Sequence, residues 1–219
     1  MINIKEIAEE QVISLAKNIS LAAITAPKAR GVDNLETRIA YGKELEQLSE
    51  KLKELHKKTG QEFLLRDSNN VLQSQAVILV GSKVKILGLD CGYCGFASCK
   101  EKEDNAPLAP CFFNSNDLGI AIGSMCSKIA DHRIDSRVMF SVGLAAKELS
   151  MLEECPTVLA IVLSVSSKSV FFDRVVNSDF IICMGNIEYH YFAGYSGGAK
   201  AIMPGVSTKE AIRQNHKMM

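Results

Sequence analysis

The chain has 219 residues, with 25 basic and 25 acidic side chains and an apolar share of 47%. That length holds one good-sized domain, or one domain and a fragment, with a real core. The balanced charge gives no electrostatic basis for nucleic acid or an anionic membrane as partner.

The N-terminus MINIKEIAEEQV is charged and lacks an apolar signal core. No apolar run approaches the roughly 20 residues of a membrane span. A cytoplasmic protein is expected, and cytoplasmic thiols stay reduced.

In chain order, residues 4–25 place Ile7, Val12, Leu15, Ala16 and Ile19 among charges, which predicts an amphipathic helix. TAPKARGVDN (25–34) reads as a loop through Pro27 and Gly31, made basic by Lys28 and Arg30. A second helix is predicted from about Leu35 to Lys58. Its Leu45, Leu48, Leu52 and Leu55 step by three and four along one face, and Gly60 stops it. AVILVG (76–81) and VKILGL (84–89) read as strands.

The segments 117–132 and 136–151 read as helices with small-residue faces. TVLAIVLSV (157–165) reads as a buried strand and DFIICMG (179–185) as another. Residues 185–207 are rich in glycine and aromatics with little periodicity. A last helix starts near Ser207, with Glu210 placed for a capping box. The expected class is α+β: a mixed sheet with packed helices, and a cysteine loop after the second strand.

Four of the seven cysteines, Cys91, Cys94, Cys99 and Cys111, fall in one C-x2-C-x4-C-x11-C run. Thiolates at that density are a metal or cluster site, a disulfide staple, or chance, and a reducing compartment favours the first. A C-x2-C turn supplies two sulfurs close together, and nearby cysteines complete the set for an iron–sulfur cube. Gly92 and Gly95 let the backbone turn and bring N–H groups near sulfur. Phe96, Ala97, Phe112 and Phe113 are placed to shield such a group, and Pro110 stiffens the approach to the last ligand.

Structural zinc also takes four cysteines. Zinc ribbons, however, pair two C-x2-C knuckles, and here the second half is C-x4-C and a distant cysteine. A thioredoxin-like redox pair would not need Cys99 and Cys111. A [4Fe–4S] cluster is therefore ranked ahead of zinc and of incidental thiols. Cys126, Cys155 and Cys183 lie in apolar surroundings and read as small buried hydrophobes.

CGYCGFASC resembles the CGxCGxxxC signature of four-iron domains in corrinoid iron–sulfur proteins and electron-transport subunits. TAPKARGVDNLET, LDCGYCGFASC, PCFFNSNDLGIAIGS and LSVSSKSVFFDR together resemble a family of uncharacterised ferredoxin-domain proteins of anaerobic bacteria and archaea, over residues 1 to about 174. That resemblance implies cluster binding at Cys91, Cys94, Cys99 and Cys111, and supplies no reaction. The loop APKARG followed by DLGIAIGS on a helix is also similar to flavin nitroreductases. That likeness implies a nitroreductase-like fold and FMN, with Lys28 and Arg30 as phosphate contacts and the D-x-G-x-A helix at a dimer interface. A solvated basic loop is the alternative.

In the last segment, Gly194, Gly197 and Gly198 beside Lys200 read as an anion cradle, without the ending of a P-loop. The pattern H-YFAGYSGGA-K-AIMPG…NH resembles the nickel-pincer lactate racemase family. The resemblance implies that His190 is a general base, that Lys200 carries the pincer nucleotide covalently, and that His216 ligates nickel. Histidine suits both of its roles. Ala199 departs from the family's usual arginine, and the half of the family that carries a second catalytic histidine has no counterpart here.

Residues 175–219 are thus read as a partial racemase-like segment, joined near Arg174 to the ferredoxin-domain protein. Racemisation by this chain alone is not expected, because both faces of a substrate must be served. Phe180, Ile181 and Ile182 are expected to pair with the sheet of the first domain or with a second subunit in a homodimer. The functional expectation is a cluster-binding electron-transfer protein with a redox partner protein. A flavin enzyme fed by the cluster and a zinc-held binding module are the alternatives.

Overall fold

The computed structural model describes residues 1–167, 170 and 171, and the backbone of 188–190 and 194–196. Two compact units divide the chain, Met1–Val170 and Phe171–Met219.

In the first unit, α1 (Ile4–Thr25) leads through a 3-10 turn (Ala29–Gly31) to β1 (Leu35–Ala40), α2 (Lys43–Thr59) and α3 (Glu62–Leu72). Then come β2 (Ala76–Ser82), α4 (Cys99–Asn105), α5 (Phe112–Asp131), β3 (Asp135–Met139), α6 (Phe140–Glu148) and β4 (Thr157–Ser164). The strands form one sheet in the order β1-β2-β4-β3. In the second unit, β5 (Glu188–His190) and β6 (Gly194–Ser196) pair antiparallel, His190 opposite Gly194.

The sheet grows from β2, whose seven residues are all buried. A β-branched run in the middle of a sheet needs cover on both faces, and helices supply it. Ala76, Ile78 and Val80 join Ile161 and Leu163 of β4 in a core with Val12, Ala16 and Ile19 of α1 and Leu118, Ala121 and Met125 of α5. On the opposite face α6 packs on β4 and β2 and is backed by α2 and α3. The approach of α6 is close: a Cβ on Gly143 would stand 2.0 Å from Val158 O. Each large aliphatic chain buried in these layers contributes about 1.5–3 kcal/mol.

The α+β class is as expected, and all three ladders of the four-stranded sheet are antiparallel. Three segments differ from expectation. The first half-turns of the helix read from Leu35 are instead β1, which runs Leu35↔Ser82 to Ala40↔Val77 against β2. In LETRIA the alternation places Leu35 and Ile39 on the core side, while Arg38 donates to Glu36 at 2.8 Å. Gly42, at φ 56, turns the chain into α2, and Gly60, at φ 70, ends it as read.

Likewise 135–139 is the edge strand β3, paired Asp135↔Ser164 to Met139↔Ala160, and only then does α6 begin. The strand read at 84–89 is irregular backbone. β2 already has β1 on one side and β4 on the other, so after Lys83 N–H donates to Asn34 O the ladder ends. Among the described residues no helix is long and apolar enough to cross a membrane. The strand read at 179–185, the helix read from Ser207, and Phe180, Ile181 and Ile182 lie outside the described residues.

Candidate metal centre

The cysteine segment leaves the sheet at Lys83 and is held by side chains from elsewhere in the chain. Asn114, in the first turn of α5, accepts the Lys85 N–H at 3.1 Å and the Cys111 N–H at 3.2 Å through Oδ1. Arg30 Nη1 donates to Leu87 O at 2.5 Å. Asp117 accepts the Ala29 N–H on both carboxylate oxygens, at 3.1 and 3.2 Å. The early basic loop and the DLGIAIGS helix are therefore tied together, and both are tied to the approach to the cysteines.

Each cysteine has a local geometric reason for its place. Gly92 and Gly95 lie at φ 71 and 86, and Gly95 N–H closes a turn on Gly92 O at 3.0 Å around the C-x2-C pair. Asp90, itself at φ 44, forms a reciprocal pair with Cys99. Its N–H donates to Cys99 Sγ at 3.3 Å, and its Oδ1 accepts the Cys99 N–H at 2.6 Å.

Cys99 opens α4. Ser98 caps that helix by accepting the Glu101 N–H at 3.1 Å, and Glu101 in turn accepts the Ala97 N–H at 2.8 Å. Cys111 is the N-cap of α5 in a reciprocal capping box with Asn114, where the helix dipole favours an anionic group.

Cys91, Cys94 and Cys99 are partly exposed and Cys111 is buried. Tyr93, Phe112 and Phe113 pack together, with ring centroids 5.3 Å apart for Tyr93–Phe112 and for Phe112–Phe113. Tyr93 is a member of this cover that the sequence reading missed.

The other thiols are different in kind. Burial pushes the Cys126 thiol up and the Cys155 thiol up to about 11, so both favour the protonated form. Cys155 is buried as expected, whereas Cys126 is half-buried. Cys183 lies outside the described residues.

Among the described residues no three His, Cys, Asp or Glu side chains gather as a metal-holding group. The four cysteines are strung along one held segment and are not closed on a common point. The donor chemistry nonetheless fits a thiolate-bound centre. Four sulfurs lie on one segment, a backbone N–H already points at one of them, and Asn114 Nδ2 is buried beside Cys111 with no partner.

Lys28 does not present a free charge to a phosphate. Its ammonium donates to the carbonyls of Ala23, Ile24 and Ala26 at 2.7–2.9 Å, closing the end of α1. Arg30 reaches Leu87 instead. The side chains of His190, Lys200 and His216 lie outside the described residues; only the backbone of His190, in β5, is described.

An uncharacterized protein of Archaeoglobus fulgidus is 36% identical to this chain over 181 residues, 80% of this chain and 97% of the relative. The family described as "Uncharacterized protein containing a ferredoxin domain" matches residues 108–174. The chain belongs to this ferredoxin-domain family.

Within it, the matched stretch contains Cys111, α5, β3, α6 and β4. A second family, the lactate racemase N-terminal domain, matches residues 163–219. The lactate racemase of Thermoanaerobacterium thermosaccharolyticum is 46% identical over 41 residues, 19% of this chain and 10% of that enzyme. That of Lactiplantibacillus plantarum is 46% identical over 39 residues, 18% and 9%. The chain thus spans about a tenth of these racemases.

Solved structures similar to this ferredoxin-domain protein include nitroreductases with bound FMN. The one from Bacteroides fragilis has a TM-score of 0.49 at 14% identity, covering 69% of this chain and 76% of that chain. The one from Desulfitobacterium hafniense has a TM-score of 0.47 at 14% identity, covering 71% and 78%.

Proposed function

We propose that this protein binds a [4Fe–4S] cluster through Cys91, Cys94, Cys99 and Cys111 and exchanges single electrons with a redox partner protein. The observation that carries the reading is the Asp90–Cys99 pair. A backbone N–H aimed at a cysteine sulfur at 3.3 Å is the outer contact that stabilises a metal-bound thiolate and raises the potential of a cluster. Membership of the ferredoxin-domain family supports the same assignment. When bound, the cluster supplies reversible one-electron chemistry. The chain's own part is to hold four thiolates, donate N–H groups to sulfur and cover one side with Tyr93, Phe112 and Phe113.

Anaerobic purification followed by a visible spectrum and assays for iron, sulfide, zinc and nickel tests the proposal. The expected result is a brown protein with about four irons and four sulfides per chain that dithionite bleaches. A colourless protein holding one zinc would overturn it in favour of a zinc-held binding module. FMN on the 25–34 loop has less support, because the Lys28 ammonium is already given to three carbonyls.

For the racemase-like segment the reading is His190 as general base, Lys200 as the nucleotide-bearing lysine and His216 as nickel ligand. The 46% identity to two lactate racemases favours it. Intact-mass analysis tests it, since an unmodified Lys200 in cells making the nickel cofactor removes its main warrant.

A further inference from the structure

Helix α4 carries a buried charge that its own surroundings leave unmatched. Along CKEKEDN, Lys100, Glu101, Glu103, Asp104 and Asn105 are exposed, while Lys102 is 1% exposed and among the largest fully buried side chains of the molecule. Its Nζ donates to one acceptor, Ala106 O, at 3.3 Å. An ammonium has three donors, and burying it without an anion is among the costlier things a fold can do.

The carboxylates on the same helix do not serve it. Asp104 pairs outward with Lys100 at 3.6 Å, and Glu101 accepts the Ala97 N–H. Among the described residues Lys102 forms no ion pair. A lysine in this position on an otherwise solvated seven-residue helix calls for an anion on its buried side.

Lys102 shares this short helix with Cys99, which opens it. Lys102 lies three residues after Cys99, and residues three apart on a helix share a face with Cβ atoms about 5–6 Å apart. Four thiolates around a [4Fe–4S] core leave a net negative charge, one unit greater after reduction. We infer that Lys102 is the buried counter-charge of the cysteine-bound centre and holds its reduction potential up; this rests on the cluster reading above. A fixed positive charge in a poorly solvated place favours the more negative of two redox states. Adding one electron from an external reductant such as dithionite therefore costs less with Lys102 present. Lys102 acts through the field at the ligands and is a positioning and tuning residue, not a catalytic one.

The test compares anaerobically purified full chains carrying Lys102→Met, Lys102→Gln, Lys102→Arg or Lys100→Met with the unaltered protein, in reductive titrations with iron and sulfide counted on each. Both neutral variants are expected to lower the reduced-to-oxidised ratio at a given ambient potential by about tenfold. That is a fall of about 59 mV in midpoint for one electron. Lys102→Arg keeps the charge and stays near the original potential. Lys100→Met, whose side chain is 83% exposed, moves it little.

Loading of the cluster by Lys102→Arg and by neither neutral variant would also support the counter-charge. A neutral variant with full iron content and an unchanged midpoint would overturn it. So would a fall of equal size in Lys100→Met. If the unaltered protein itself holds no iron, the cluster reading fails; if it loads and only the midpoints coincide, the role of Lys102 alone fails.

Discussion

The central sheet and the segment that follows it are held by different kinds of bond. In the sheet, β2 lies between β1 and β4, and its backbone pairs with β4 along its whole length and with β1 from Val77 to Ser82. From Lys83 to Ser98 the backbone leans instead on individual groups: the Asn34 carbonyl, Asn114, Arg30, Asp90 and Glu101. A ladder is redundant, since losing one side chain leaves its backbone bonds in place. A segment held by single side chains changes shape when one is removed. Such a segment can put sulfurs and N–H groups where a regular ladder would not.

Four experiments press on that difference. The largest loss of stability is expected in the sheet. Ile161→Ala, at a fully buried position of β4, should cost about 2–5 kcal/mol in urea denaturation while leaving the iron content per folded chain unchanged. A coupled loss of iron would show that the sheet and the cysteine segment are not separable.

Asn114→Ala is expected to cost less stability, about 1–3 kcal/mol, because it strands the N–H groups of Lys85 and Cys111. Its main effect should fall on iron content, which should drop well below that of the unaltered protein. Full loading in this variant would mean that the cysteines do not depend on α5 for their placement.

A smaller effect concerns pH. Burial raises the Cys155 thiol from 9.0 to about 11, so folding favours its protonated form. The corresponding stability is fully present below about pH 9 and is lost as pH rises from 9 to 11, because the unfolded chain releases the proton first. Cys155→Ala should show a flatter decline over that window than the unaltered protein. Equal slopes would place the thiol in contact with water.

The smallest effect is expected at Lys83 and Glu154, which pair at the surface; each shifts the other toward its charged form, the lysine upward and the carboxyl downward. Lys83→Ala should leave the urea midpoint where it was, because both groups are solvated.

How far the pattern of residues carries can be seen element by element. α1, the leucine stripe of α2 and the strands β2 and β4 are long, strongly patterned or flanked by clear stops such as Gly60, and each was legible. β1 and β3 were not. LETRIA and DSRVM are short edge strands, and each runs directly into a helix whose periodicity swallows the strand's. α3 went unread although Leu64 and Val71 anchor it.

At the site, the cysteine spacing and the glycine turns were legible, whereas the S-x-x-E signature of the Ser98–Glu101 cap went unread. Asp90, Asn114 and Asp117 were not legible, because nothing local marks an asparagine as the acceptor for an amide 29 residues away.

The sequence alone determined the cysteine spacing, the glycines that let the segment turn, the α+β class and the two family segments. These rest on residue type and short spacing, which the chain states outright. Only the tertiary structure decided that Lys28 closes α1, that Arg30 reaches across 57 residues to Leu87, that Asp117 reaches back 88 residues to Ala29, and that Lys102 is buried. Those outcomes depend on which surfaces the packed helices and sheet bring together, and hydrogen-bond partners that far apart leave no periodic trace in the chain.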